Sequence, residues 1–128
     1  MKILWIDDEP HRFDRLKPTK LSVVFAHGQA EIDQYFNSGI KFDGMILDHD
    51  MPKMNGMDVL KTFILTKQNL LNPIPIVLCS ANNTARVEML NLLKEISYPV
   101  LNNRISYRQN GRWIWEKDFR KKTIQFFS

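Results

Sequence analysis

Five short apolar runs punctuate this chain, and helical patterns fill most of the intervals between them. Lys2–Ile6, Leu21–Ala26, Gly44–Asp48, Ile74–Ser80 and Tyr98–Leu101 read as strands. Their near-continuous apolar character suits strands covered on both faces, and a strand–helix–strand alternation implies a parallel sheet. The intervening helices are expected at Pro10–Lys17 (weak, stopped by Pro18), Gln29–Phe36, Met57–Lys67 and Thr84–Ile96. Ile32 and Phe36 share a face of the second. Met57, Leu60 and Ile64 form an inward stripe on the third, and Val87, Leu90 and Leu93 on the fourth, with Asn83 or Thr84 as its cap. The expected fold is α/β, a doubly wound five-stranded parallel sheet forming one domain over residues 1–128.

After Leu101 the pattern changes. Asn110-Gly111 lies between Ile105, Tyr107, Trp113 and Trp115 at alternating positions, a strong local signal for a β-hairpin. The competing reading is a plain loop. Glu116–Phe127 closes the chain as an amphipathic helix.

Composition narrows the function classes. Hydrophobic residues at 44% and charged residues at 25% are ordinary for a globular domain with a real core. A single cysteine, Cys79, excludes an internal disulfide framework and suits a reducing compartment. The first apolar run is too short for a signal peptide, and no stretch approaches the roughly 20 apolar residues of a membrane span. A cytoplasmic protein without membrane attachment is the expectation. The net charge of +4 is concentrated late in the chain: Arg104, Arg108, Arg112, Lys117, Arg120, Lys121 and Lys122 face only Glu116 and Asp118. Such a tail could attract nucleic acid or an acidic partner. A solvated helix face is the favoured reading, with Trp113 and Trp115 packed on the core and base stacking the weaker alternative.

The chemistry gathers at strand ends. Asp7 and Asp8 end the first strand, Asp48 the third and Ser80 the fourth, and a doubly wound sheet brings these to one carboxyl edge, where ligands bind. Carboxylates crowded together need protons or a cation to coexist. Mg²⁺, with Mn²⁺ as an alternative, is the natural hard cation for oxygen ligands. A metal there would place a phosphate oxygen beside Asp48, which could act as nucleophile, while the Ser80 hydroxyl holds another oxygen.

Ile3-Leu-Trp-Ile-Asp-Asp-Glu-Pro10, Asp48-His-Asp-Met-Pro-Lys-Met-Asn-Gly56 and Ser80-Ala81 together resemble a response-regulator receiver domain over roughly the first 100 residues. The resemblance implies a flavodoxin-like sheet of order 2-1-3-4-5. It also implies Asp48 as phosphoacceptor, Mg²⁺ on Asp7 and Asp8, and the backbone carbonyl of Asp50 as a further ligand. One position departs. Receivers carry a lysine after the fifth strand, and the spacing from Ser80 lands instead on Asn102; Arg104 is one residue that could stand in for it.

Leu47-Asp-His-Asp50 with Cys79-Ser-Ala-Asn82, then Arg86 and Met89, is similar to the cyclic-phosphate-processing receiver subfamily, which pairs an Asp-His-Asp with a His-Ser-x-Asn strand end. Cys79 stands where that subfamily has histidine. The resemblance points to Asp48, His49 and Ser80 as catalytic residues, to Ser80, Asn82 and Arg86 as phosphate-binding residues, and to Asp7, Asp8, Asp48 and Asp50 around the metal. Strand alternation directs His49 away from Asp48 and Asp50. The neutral-range pKa of a free histidine nonetheless suits acid/base work. Arg86 has a surface salt bridge as its competing role, and Cys79 reads as a small buried apolar residue.

The leading expectation is therefore a stand-alone receiver-like domain that binds Mg²⁺ and a phosphate-containing ligand such as a cyclic nucleotide. The first rival is a single-domain response regulator, phosphorylated on Asp48 by a histidine kinase and docking a protein partner. The second is a receiver reduced to an interaction module.

Overall fold

A computed structural model describes residues 1–128, the side chains of Lys67 and Gln68 excepted. Five parallel strands form one sheet: β1 (Lys2–Ile6), β2 (Ser22–Ala26), β3 (Gly44–Leu47), β4 (Ile76–Leu78) and β5 (Val100–Asn102). Their order is β2-β1-β3-β4-β5, the doubly wound arrangement expected. The helices are α1 (Gln29–Asn37), α2 (Gly56–Val59), α3 (Lys67–Leu71), α4 (Asn83–Glu95) and α5 (Phe119–Phe127). Pro10–Leu16 is a 3₁₀ segment rather than an α-helix.

Strand alternation divides the core in two. On one face Leu4, Ile6, Met45, Leu47, Ile76 and Leu78 pack against Ile32, Val59, Leu60, Ile64, Met89 and Leu93 from α1, α2, the turn following it and α4. On the other, Ile3, Trp5, Ile46, Val77 and Cys79 meet Leu16 of the 3₁₀ segment and Phe119 and Phe127 of α5. Trp5, wholly buried, packs at 5.9 Å from Phe119. This centroid separation is typical of aromatic pairs.

Two helices on the first face differ from their sequence patterns. The expected Met57–Lys67 helix stops at Val59 and widens into a π turn over Leu60–Ile64, closed by Leu65 N–H donating to the Leu60 carbonyl at 2.8 Å. The wider turn keeps Leu60 and Ile64 both fully buried. In α4 the cap is Asn82, whose side chain accepts from the Ala85 N–H. That start rotates Ala85, Arg86, Met89 and Leu93 inward and leaves Val87 38% exposed, contrary to the expected stripe.

The hairpin is present: β6 (Ser106–Gln109) pairs antiparallel with β7 (Arg112–Trp115). Asn110 and Gly111 have φ of 51° and 76°, the left-handed pair that a two-residue type I′ turn requires. Trp115 packs against the second core, but Trp113 is 56% exposed, so the expectation of a core role fails for Trp113. Cross-strand pairing with Arg108 near the tip carries Trp113 away from the body. The closing helix starts at Phe119 rather than Glu116, whose N–H donates to the Ile105 carbonyl at the hairpin base.

Gly56 locks the loop after β3 beneath Asp48. A Cβ there would strike the Asp48 carbonyl oxygen and stand 2.9 Å from His49 Cα, both backbone atoms. Gly56→Ala should cost roughly 2–4 kcal/mol in denaturant unfolding, whereas Gly28→Ala, where nothing lies within 4 Å, should stay within about 0.5 kcal/mol. Equal effects would show that the packing under Asp48 is not tight.

Candidate functional site

Parallel registration builds the site. Ile6 pairs with Leu47, Leu47 with Leu78 and Leu78 with Asn102. The next residue of each strand therefore stands in a transverse row: Asp7, Asp48, Cys79, Asn103. Backbone bonds extend the ladder through it, with Asp48 N–H donating to Ile6 O at 2.9 Å, Cys79 N–H to Leu47 O at 3.1 Å and Asn103 N–H to Leu78 O at 3.0 Å. Asp7, Asp48 and Cys79 offer a carboxylate oxygen or thiol sulfur within 4.8 Å of one another, and all three are buried.

Asp7 is the most heavily bonded. It accepts from Trp5 Nε1 at 3.3 Å, from the Glu9 N–H at 3.0 Å and from Arg12 Nη1 at 3.2 Å. The Cys79 thiol lies 3.9 Å from its second oxygen. Arg12 also reaches Asp48 at 3.4 Å. Its Nε stands 3.4 Å from Glu9, and of its three acidic neighbours only Asp7 is hydrogen-bonded to it.

Burial, opposed by Arg12 and the donated hydrogen bonds, raises the Asp7 pKa. Burial and then the neighbouring charge of Asp7 raise that of Asp48 from 3.8 to about 7, against the pull of Arg12. Burial also pushes the Cys79 thiol well up, assisted by the two aspartates, so it sits in the row as a neutral group.

Arg12 is the functional candidate that sequence reasoning missed. Its cation enters the acidic row from the 3₁₀ segment. Neither residue considered for the missing lysine does so. Asn102 accepts from Arg86 Nε at 2.6 Å, and Arg104 turns outward to Glu116 at 2.7 Å while its guanidinium lies 4.6 Å from the Tyr107 ring. A signal for Arg12 was available: it lies three residues after Glu9, behind Pro10, on the segment covering the face that Asp7 and Asp48 share by strand parity.

The other expected residues divide around this row. Asp8 is half-buried, close enough for its charge to raise Asp48 further. Ser80 is buried, with its oxygen accepting from the Asn82 N–H at 3.1 Å. The Asn82 amide donates to the Asp50 carboxylate at 3.1 Å, and His49 Nδ1 meets the same Asp50 oxygen at 2.8 Å. His49 thus turns toward Asp50, contrary to the alternation argument, because β3 has already ended at Leu47. The His49 contact and the Asn82 bond lower the Asp50 pKa, outweighing a modest burial effect.

Arg86 is buried, and its donors are committed to Asn102, to the Ser80 carbonyl at 2.6 Å and to Asn83 Oδ1 at 2.7 Å. It braces the Ser80 turn from behind rather than forming the surface ion pair considered from sequence.

The donor set fits a divalent cation. Two hard carboxylates lie close in a buried row and a third acid is nearby; burial and then the charge of Asp7 raise the Asp48 pKa despite Arg12.

A sign follows for stability. The folded state holds the Asp48 proton up to about pH 7, the unfolded chain only to about 3.8. This contribution is complete below about pH 4 and lost as pH rises toward 7. Metal-free protein should therefore lose melting temperature over that window relative to Asp48→Asn, and millimolar Mg²⁺ should restore it. Parallel pH profiles of the two proteins, with no effect of Mg²⁺ or Mn²⁺, would reject the metal site. Arg86→Ala should cost roughly 2–4 kcal/mol with or without Mg²⁺, since it leaves buried acceptors unpaired. Unchanged stability would remove the bracing role.

Comparison with known proteins agrees with this architecture. No curated protein matches the chain by sequence. Three solved structures share its fold. The chemotaxis protein CheY4 of Vibrio cholerae is 20% identical, with coverage of 97% of this chain and 95% of that one and a TM-score of 0.64. The response regulator TrrA of Thermotoga maritima, solved in complex with Mg(2+)-BeF, is 22% identical, with coverage of 98% and 97% and a TM-score of 0.63. A response-regulator receiver domain of Francisella is 21% identical, with coverage of 98% and 92% and a TM-score of 0.61. A family model described as "Cyclic-phosphate processing Receiver domain" matches residues 2–95, most of the chain and all of its acidic strand ends, and the chain belongs to that family.

Proposed function

We infer that this receiver domain binds Mg²⁺ and a phosphate-containing ligand, of cyclic or terminal nucleotide phosphate type, at the Asp48 row. The observation that carries the reading is the pair of buried carboxylates, Asp7 and Asp48, at the carboxyl edge with Arg12 against both. Mg(2+)-BeF bound to TrrA, a neighbour in fold, supports a Mg²⁺ at this edge.

In this reading Asp7, Asp8 and Asp48 hold the metal, which when bound would draw charge from the phosphate and neutralise the carboxylates. Asp50 contributes through its backbone. Arg12 supplies the positive charge that the absent lysine would have given, able to swing from Asp48 to a phosphate oxygen. The Ser80 hydroxyl and the Asn82 amide donate to further oxygens, and Arg86 fixes the turn that presents them. His49, held at Nδ1 by Asp50, has Nε2 as the atom that exchanges a proton.

Cys79 sets the expected rate. It occupies the position of the family's histidine, and a buried neutral thiol is a poor proton carrier. Binding should exceed turnover. A second reading, phosphorylation of Asp48 by a kinase or small phosphodonor, is favoured by the Arg12 contact with Asp48.

Calorimetry with cyclic and terminal nucleotide phosphates should detect binding that requires Mg²⁺, with little product by chromatography. Arg12→Gln should weaken binding roughly 10- to 100-fold, the loss of one charged hydrogen bond. Acetyl phosphate should produce little phospho-Asp48 by intact mass. Stoichiometric phosphorylation abolished by Asp48→Asn, with no nucleotide binding, would reverse the order and make the protein a response regulator.

A further inference from the structure

The β6–β7 hairpin lies beyond the residues matched by the family and is not used by the Asp48 row. From Arg104 to Trp115 it contains three arginines and no acid. Cross-strand register puts Ser106 opposite Trp115 and Arg108 opposite Trp113, so these four share one face. Ser106 anchors that face in the protein, and the rest of it leads outward to the turn.

This face carries Trp113, Trp115 and Arg108, with Arg15 joining it from the 3₁₀ segment, while Arg112, opposite Gln109, lies on the other face. The Arg15 guanidinium stands 4.0 Å from the Trp115 ring centre, and that of Arg108 stands 5.1 Å from Trp113. Trp113 is 56% exposed, and Arg108, Arg112 and Arg15 are exposed around it. A tryptophan held away from any core, with a planar cation over it, offers a stacking surface to a flat, electron-rich ring. Arginines spaced along the same ribbon offer donors to phosphates. The occupant that supplies both flat rings and repeated negative charge is a single-stranded nucleic acid. A duplex keeps its bases stacked away from such a surface, and an acidic peptide has no use for the tryptophan.

The position of the ribbon adds to this. His11 and Arg15, both against Trp115, belong to the same 3₁₀ segment that sends Arg12 into the acidic row. The ribbon therefore begins at the segment that borders the phosphate pocket and runs outward from it. α5 continues the positive field with Arg120, Lys121 and Lys122, all exposed.

We propose that the β6–β7 hairpin, with Arg15, is a platform for single-stranded RNA or DNA, on which Trp113 stacks a base and Arg108 and Arg15 hold the backbone. This takes up the alternative that the sequence reading ranked second to a solvated tail. Binding there needs neither Mg²⁺ nor Asp48.

The test is fluorescence anisotropy on the full chain with an oligouridylate of about ten nucleotides lacking terminal phosphates, in low salt. Binding should occur without Mg²⁺ and persist in Asp48→Asn, which separates it from the pocket reading. Trp113→Ala should weaken it about five- to 150-fold, the range for loss of one stacked base, while Trp113→Phe retains most of it. Because Trp113 is exposed, the melting temperature of both variants should match the wild type. With about two phosphates neutralised, the logarithm of the affinity should fall with that of salt at a slope of about −1.4. No binding by the wild type, or Trp113→Ala binding as tightly as it does, would overturn the proposal. So would equal affinity for a polyglutamate peptide or a duplex of the same length.

Discussion

The fold depends at one point on two carboxylates being kept where they repel each other. Parallel pairing of β1 with β3 leaves no choice: once Ile6 is opposite Leu47, Asp7 and Asp48 are side by side. Both are buried, Asp7 beneath Trp5 and Asp48 beside Arg12. The sheet's apolar registration thus stabilises a charge arrangement that is unfavourable by itself, the usual relation between a scaffold and a reactive site. Arg12 offsets part of that cost. Its three acidic neighbours, Asp7, Asp48 and Glu9, outnumber it, so the edge keeps an excess of negative charge for a cation to relieve.

Much of this was legible before any coordinates. Strand number, the places of α1 and α4 and the hairpin turn follow from local periodicity and from Asn110-Gly111, because these signals are short-range and each is strong at its own position. The acids at strand ends were legible for the same reason. What was not legible is which face they occupy. Reasoning by sheet edge grouped Asp7, Asp8, Asp48 and Ser80, but reasoning by parity gathers Asp7, Asp48 and Cys79 and selects Arg12 as the residue that meets them. Edge and parity together would have found the row.

The misreadings share a different cause. Val87 was read as inward because it is apolar and suitably spaced, yet Arg86 takes the inward position. A guanidinium can be buried when every direction it points in meets an acceptor, and Asn102, Asn83 and the Ser80 carbonyl provide this. No periodicity rule contains that information, since the acceptors come from β5, α4 and the turn after β4. Trp113 is the converse. Its size argues for a core, and only cross-strand pairing with Arg108 reveals that it stands in solvent. In both cases a tertiary partner overrides a one-dimensional preference.

Arg86 has one further consequence. Through a single rigid, planar group it joins the carbonyl of Ser80 to the amide of Asn102 and to the first turn of α4. Ser80 cannot shift toward the acidic row without pulling that plane, and the plane cannot tilt without carrying α4 and β5 with it. Three elements distant in sequence are geared together behind the pocket.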